Sequence, residues 1–158
     1  MMILHPSRFN VFDNVSPELV EKINDAATVI ELATDEVLYQ QGDPADNVYF
    51  MTKGRAYLQI SDDSDAAVIL GIIKSGYCFG WSALEAGDIR HHSVVSAESS
   101  QVAAVQGDMI RDMILAENGQ GLPFLWNLFH LIKDRHDLRV QQLFKTLISH
   151  PTLESVSL

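Results

Sequence analysis

The chain has 158 residues, 47% of them apolar, which is enough to bury a core and excludes a disordered tail. Its formal net charge is −10, with eleven basic residues scattered among twenty-one acids, so the clustered Lys and Arg of a DNA- or RNA-binding surface are missing. No apolar run approaches the roughly 18–20 residues of a membrane span, the first nine residues lack a signal peptide's pattern, and the single cysteine, Cys78, cannot close an internal disulfide; no membrane association and a reducing cytoplasm are expected.

Ser16-Pro17-Glu18-Leu19 opens the first helix. Ser16 can cap, Pro17 suits the first helical position, and Glu18 suits the positive end of the helix dipole. Leu19, Val20, Ile23 and Ala27 then recur at helical spacing, with an end near Ala27 or Thr28.

From Val29 to Gln106 the chain reads as short β-rich runs: Val37 to Tyr39, Val48 to Thr52, Ala56 to Ile60, Val68 to Ile73, Ser93 to Ala97 and Val102 to Val105. Gly42-Asp43-Pro44, Lys53-Gly54, the acidic Ser61 to Asp65 and Ser75-Gly76 punctuate them. Short strands at close spacing with turn signals indicate an all-β barrel or sandwich. Lys53-Gly54 reads as a hairpin turn needing a positive φ.

After Gln106 the period becomes helical. Asp108 can cap a helix through Ala116, and Asn118-Gly119 can stop it. Leu122-Pro123 opens a last helix running to about Ser149, which at 1.5 Å per residue spans roughly 40 Å. Its expected apolar stripe is Leu125, Phe129, Ile132, His136, Val140, Leu143 and Leu147, widened by Leu128, Leu131 and Leu138. That length exceeds what a small barrel covers, so part of the stripe is expected to meet a second subunit. The tail from Thr152 to Leu158 is expected to fray.

The segment with chemical promise is Gly71 to Leu84, and within it Phe79-Gly80-Trp81-Ser82-Ala83-Leu84. Gly80 lets the backbone approach a ligand. Trp81, Ser82 and Ala83 then offer N–H groups at the start of a short helical turn, an arrangement suited to an anion. Arg90-His91-His92 is the basic cluster near this turn.

The order helix, short strands, glycine turn between late strands, then two helices, with Gly42-Asp43, Lys53-Gly54, Gly71, Gly76 and Phe79-Gly80 at their present spacing, resembles the cyclic-nucleotide-binding domain family. This is the sensory domain of the catabolite activator and nitrogen-fixation regulator superfamily. The resemblance covers about Val11 to His150. It implies a mainly β fold with flanking helices: a double-stranded β-helix, or jelly-roll-like β-roll barrel, with one N-terminal helix and two C-terminal helices, the last long. The expected organisation is one domain over 1–158, with a helical part at 1–28, the β-roll at 29–106 and the C-terminal helices at 107–150.

In that family the turn after Phe-Gly holds the cyclic phosphate and ribose of cyclic AMP or GMP, and the last helix dimerises and closes over the base. The family's Glu, which bonds the ribose hydroxyl, is replaced here by Trp81, which has one donor and no acceptor. The family's phosphate-binding Arg, counted back from Ser93-Val94-Val95, falls on His91, with Arg90 beside it. Strand alternation turns Arg90 inward only if the register slips or the preceding loop is irregular.

The implied function is a stand-alone sensory or regulatory domain that binds cyclic AMP, cyclic GMP or a related anion at Phe79–Leu84 and Arg90, His91 and His92. It would signal as a homodimer through its last helix to a separate protein partner, because only eight residues follow His150, too few for a DNA reader. The alternative is a degenerate domain that binds no cyclic nucleotide and serves as a protein-interaction module.

Enzyme, metal and cofactor readings find little support. Ser82 follows Trp81 and not a Gly-x-Ser-x-Gly elbow, so hydrolase chemistry is not expected. His91 and His92 are adjacent and cannot chelate one ion from a strand. Asp62, Asp63 and Asp65 lack the glycine and terminal Glu of a calcium loop.

Overall fold

A computed structural model describes residues 2–61, 66–116 and 119–149. The acidic stretch after Ser61, Asn118 and the tail from Thr152 lie outside the described residues.

The Ser16 hydroxyl accepts from Leu19 N–H at 3.3 Å and starts α1 (Pro17–Asp25). Leu19, Val20 and Ile23 form its buried face. The helix ends at Asp25, short of Ala27, because Thr28 already begins a strand.

Eight strands follow: β1 (Thr28–Leu32), β2 (Val37–Tyr39), β3 (Asn47–Lys53), β4 (Arg55–Ser61), β5 (Ala67–Lys74), β6 (Cys78–Phe79), β7 (Ser93–Ser96) and β8 (Ser100–Gln106). They form two four-stranded sheets, β1-β8-β3-β6 and β2-β7-β4-β5, in which every pairing is antiparallel. The chain is a jelly-roll-like β-roll with flanking helices. The six strand runs anticipated above are present. β1 and the two-residue β6 were not among them: β1 is an edge strand that buries only Leu32, and β6 is too short to show a period.

Alternation along the central strands builds two cores. In β3, Val48 and Phe50 face the helices while Tyr49 and Met51 face the inside of the roll. In β8, Ala103 and Val105 face the helices while Val102 and Ala104 face inward. These strands are therefore buried on both faces, which is why they read as continuous apolar runs.

Gly54 has φ 82°, as expected, but it does not close a hairpin. β3 and β4 belong to different sheets, and Gly54 is the corner where the chain crosses between them. A Cβ there would lie 2.8 Å from Ser100 Cα, so only glycine fits.

Helix α2 (Gly107–Leu115) is capped two residues earlier than expected: Gln106 occupies the capping position without a side-chain bond, and Asp108 lies in the first turn. Gly107 N–H donates to Asp46 O at 2.8 Å and ties this start to the roll.

Helix α3 (Leu122–Ser149) runs 28 residues. Its core-facing side chains are Phe124 and Leu128, with Leu131 and Ile132 packed beside them. Of the expected apolar face, Leu128, Leu131 and Ile132 pack into the core, while Leu125, Phe129, Val140 and Leu143 are exposed. Tertiary anchors set the rotation: Asn127 Nδ2 donates to Val11 O at 3.1 Å and Asp13 O at 2.6 Å, and Phe124 meets Phe12 at 6.0 Å between ring centroids. No described helix is long and apolar enough to cross a membrane.

Candidate functional site

Gly80 ends β6 in the left-handed region, with φ 75°. A Cβ on it would lie 2.9 Å from Tyr49 Cδ2 and 3.1 Å from both Arg90 Nη1 and Asn47 O. The missing side chain thus makes room for a tyrosine ring and a guanidinium. A short 3₁₀ turn, Trp81–Leu84, follows.

Arg90 reaches this turn from the loop before β7 and is only 3% exposed. Its Nη1 donates to Gly80 O at 2.9 Å and Ser82 Oγ at 3.2 Å, and its Nη2 donates to Asn47 O at 2.6 Å. Among the described residues, Arg90 Nε is the buried side-chain nitrogen or oxygen without a hydrogen-bond partner. The guanidinium carbon lies 4.4 Å from the Tyr39 ring centroid and 5.4 Å from that of Tyr49, within cation–π range. Tyr39, Tyr49 and Phe79 stack in series at 5.5 and 5.4 Å. Burial pushes the Tyr39 phenol up to about 12, so that it stays neutral.

The loop carrying Arg90 is irregular, and this decides where its side chain points. Arg90 N–H donates to Asp43 O at 2.8 Å, and Gly42 N–H donates to Arg90 O at 2.8 Å. The Gly42-Asp43 turn therefore clamps the arginine backbone, and strand alternation does not apply until Ser93. His91, the position reached by counting back from the strand, turns outward: its side chain is 63% exposed and lies 3.3 Å from Asp88. His92 is half-buried, and burial, followed by the neighbouring His91, lowers its pKa.

These groups line a cavity of about 350 Å³ between the roll and α3. Of the residues expected from sequence, Phe79, Gly80, Trp81, Ser82, Arg90, His91 and His92 line it. Ala83 and Leu84 do not; both pack into the helix-side core, and Ala83 N–H is taken by Gly80 O at 3.2 Å. The structure adds Tyr39, Arg135, His136 and Arg139 to the lining. Arg135 Nη2 donates to Cys78 O at 2.8 Å, and its guanidinium lies 4.6 Å from the Trp81 ring. Arg139 donates to Leu70 O and, at 2.9 Å, to Gln142 Oε1. The spacing Leu128, Ile132, Arg135, Arg139 runs down one helix face and was the available signal for both arginines.

A more open depression of about 530 Å³ lies on the other side of Arg135 and Arg139, lined by Arg8, Ser75 and Asp134 among others. It lacks Arg90 and the Gly80 turn, so the smaller cavity is the candidate site. No group of three or more His, Cys, Asp or Glu that could hold a metal exists among the described residues.

Residues 29–117, more than half of the chain, match the family described as cyclic nucleotide-binding domain. The chain belongs to the cyclic nucleotide-binding domain family.

Solved structures agree on the fold. A cyclic nucleotide-binding domain from Methylobacillus flagellatus KT superposes with TM-score 0.80 at 16% identity, over 96% of this chain and 86% of that one. The catabolite activator protein of Thermus thermophilus gives 0.71 at 21% identity, over 89% and 63%. The sensor domain of the transcriptional regulator DNR from Pseudomonas aeruginosa gives 0.69 at 15% identity, over 94% and 91%. The family's description names a small-molecule ligand, a cyclic nucleotide, and these structures share the fold. Within the family frame, Trp81 stands where a carboxylate was expected, and Arg90 is the arginine whose side chain enters the roll.

Proposed function

We propose that this domain is a sensor that binds cyclic AMP, cyclic GMP or a related anionic small molecule between Gly80–Ser82 and Arg90, and that it transmits occupancy through α3. It is not an enzyme in this reading, works in the cytoplasm, and needs neither nucleic acid nor membrane. One observation carries the proposal. A net-negative chain has sunk Arg90 beside a glycine turn, with its Nε unpartnered and no carboxylate in ion-pair contact among the described residues. Leaving a buried charge uncompensated is costly, so an anion that completes the site gains directly.

The exposed apolar side of α3 supports the second half of the reading. Leu125, Phe129, Val140, Leu143 and Phe144 face outward on a helix of about 42 Å, and the occupant proposed for that face is α3 of a second copy.

Calorimetric titration tests the ligand. Saturable heat with a cyclic or linear nucleotide, lost in Arg90→Ala, supports the sensor. Charge-assisted hydrogen bonds contribute roughly 1.5–3 kcal/mol each, so the variant should weaken binding by about tenfold or more. A flat trace with every nucleotide supports the second reading, a protein-interaction module. Trp81 in the place of the ribose-binding carboxylate favours that reading.

A further inference from the structure

Half of the chain's six arginines, Arg90, Arg135 and Arg139, line the 350 Å³ cavity together with His91, His92 and His136, and among the described residues no carboxylate lines it with them. That sorting is far from the chain's average, in which acids outnumber bases by twenty-one to eleven. The salt bridges among the described residues lie elsewhere or end on exposed His91; none involves the three guanidinium groups. They are held by oxygens of neutral groups: Gly80, Asn47 and Ser82 for Arg90, Cys78 for Arg135, Leu70 and Gln142 for Arg139. Neutral oxygens orient a guanidinium but leave its charge standing. Like charges gathered in a partly desolvated site repel.

The α3 arginines occupy positions built for them. Leu58 pairs with Gly71 and Gln59 with Ile69, so Leu70 is bulged out of the β4–β5 ladder and its carbonyl is free for Arg139. Gly71 leaves the space that Arg139 fills: a Cβ there would lie 2.9 Å from Nη2. Arg135 is held between Tyr77 and Trp81, at 5.1 and 4.6 Å from the ring centroids. Where the resemblance implies an acidic acceptor for ribose, this site presents an indole with a cation on its face. It has exchanged an acceptor for positive charge.

We propose that the preferred ligand is a mononucleotide with a terminal phosphate, a 5′-monophosphate or 5′-diphosphate, whose additional negative charge is held by Arg139 with Arg135 beside it. The proposal rests on the reading of the roll as an anion site and narrows it. A cyclic phosphodiester carries one charge and satisfies Arg90 alone. A phosphate monoester carries about −1.5 to −2 at neutral pH, which matches a site with guanidinium groups on both of its walls. The cavity sits at the small end of the roughly 300–1,000 Å³ range of ligand sites, room for one nucleotide.

The test is calorimetry on the full chain with 3′,5′-cyclic AMP, 5′-AMP and 5′-ADP, and with the guanosine series. The expected result is 5′-AMP or 5′-ADP, or a guanosine counterpart, binding about tenfold or more tighter than its cyclic form. Arg139→Gln should erase that preference, bringing the affinities for the linear and cyclic forms within about threefold of each other. A cyclic form that binds as tightly as the linear ones overturns this proposal and leaves the sensor reading standing. No heat with any nucleotide overturns both. A linear preference that persists in Arg139→Gln overturns the assignment to α3. The wild-type comparison needs no variant to fold.

Discussion

Arg90 Nη1 meets the carbonyl of Gly80 at 2.9 Å, joining the end of the loop before β7 to the start of the turn after β6. A side chain at residue 80 would crowd this contact, since a Cβ there would lie 3.1 Å from the same Nη1, and φ at this position is 75°. One glycine thereby fixes both the turn and the reach of the arginine.

Gly80→Ala should destabilise the fold by more than Gly87→Ala. Both glycines have positive φ, 75° and 79°, and a left-handed residue with a Cβ costs roughly 1–2 kcal/mol. Around Gly87 nothing lies within 4 Å of the added Cβ, whereas Gly80 faces Tyr49, Arg90 and Asn47. Urea titration with an unchanged m-value should therefore give a lower midpoint for Gly80→Ala. Equal midpoints would remove the crowding argument.

Replacing Leu143 and Phe144 together by Glu should turn a dimer into a monomer without unfolding the roll. Both side chains are exposed in the chain by itself, and Phe144 is 63% exposed. Two carboxylates per copy cannot be buried against a second helix without a large desolvation cost. Sedimentation velocity reads the mass and circular dichroism reads the fold. A monomeric wild-type protein at high micromolar concentration would dismiss the α3 interface.

Acid should weaken the fold as the pH falls through about 6.5, and His92 should be part of the reason. Burial lowers the folded pKa of His92 below the ordinary value of about 6.5, followed by the effects of His91 and Arg139. The unfolded imidazole takes its proton at a higher pH than the folded one, so unfolding absorbs a proton as pH falls. The stability at stake is fully present about one unit or more above 6.5, starts to fall as the pH nears that value, and goes on falling below it. His92→Gln should flatten the dependence of the urea midpoint on pH across that window; an unaltered slope would take His92 out of the account.

Cys78 should be inert to a thiol-disulfide reagent in the folded protein. It is 1% exposed, and burial pushes its thiol up to about 12, so thiolate is scarce at pH 8. Labelling with Ellman's reagent should follow the urea unfolding curve. Rapid reaction in buffer would mean that β6 opens locally.

Three helices, six of the eight strands, the extent of α3 and the glycine turn at Phe79-Gly80 were legible in the sequence. These are local properties: apolar spacing states which face is buried, and a glycine with turn residues states where the chain must bend. Tertiary structure decided the rest of the site. Whether Arg90 or His91 enters the roll depends on hydrogen bonds to Gly42 and Asp43, nearly fifty residues earlier, and no local period encodes them. Which side of α3 meets the roll depends on Asn127 binding Val11 and Asp13, and a helix apolar on several sides does not announce its rotation. Arg135 and Arg139 therefore became site residues only once β5, with its bulged Leu70 and bare Gly71, was folded against them.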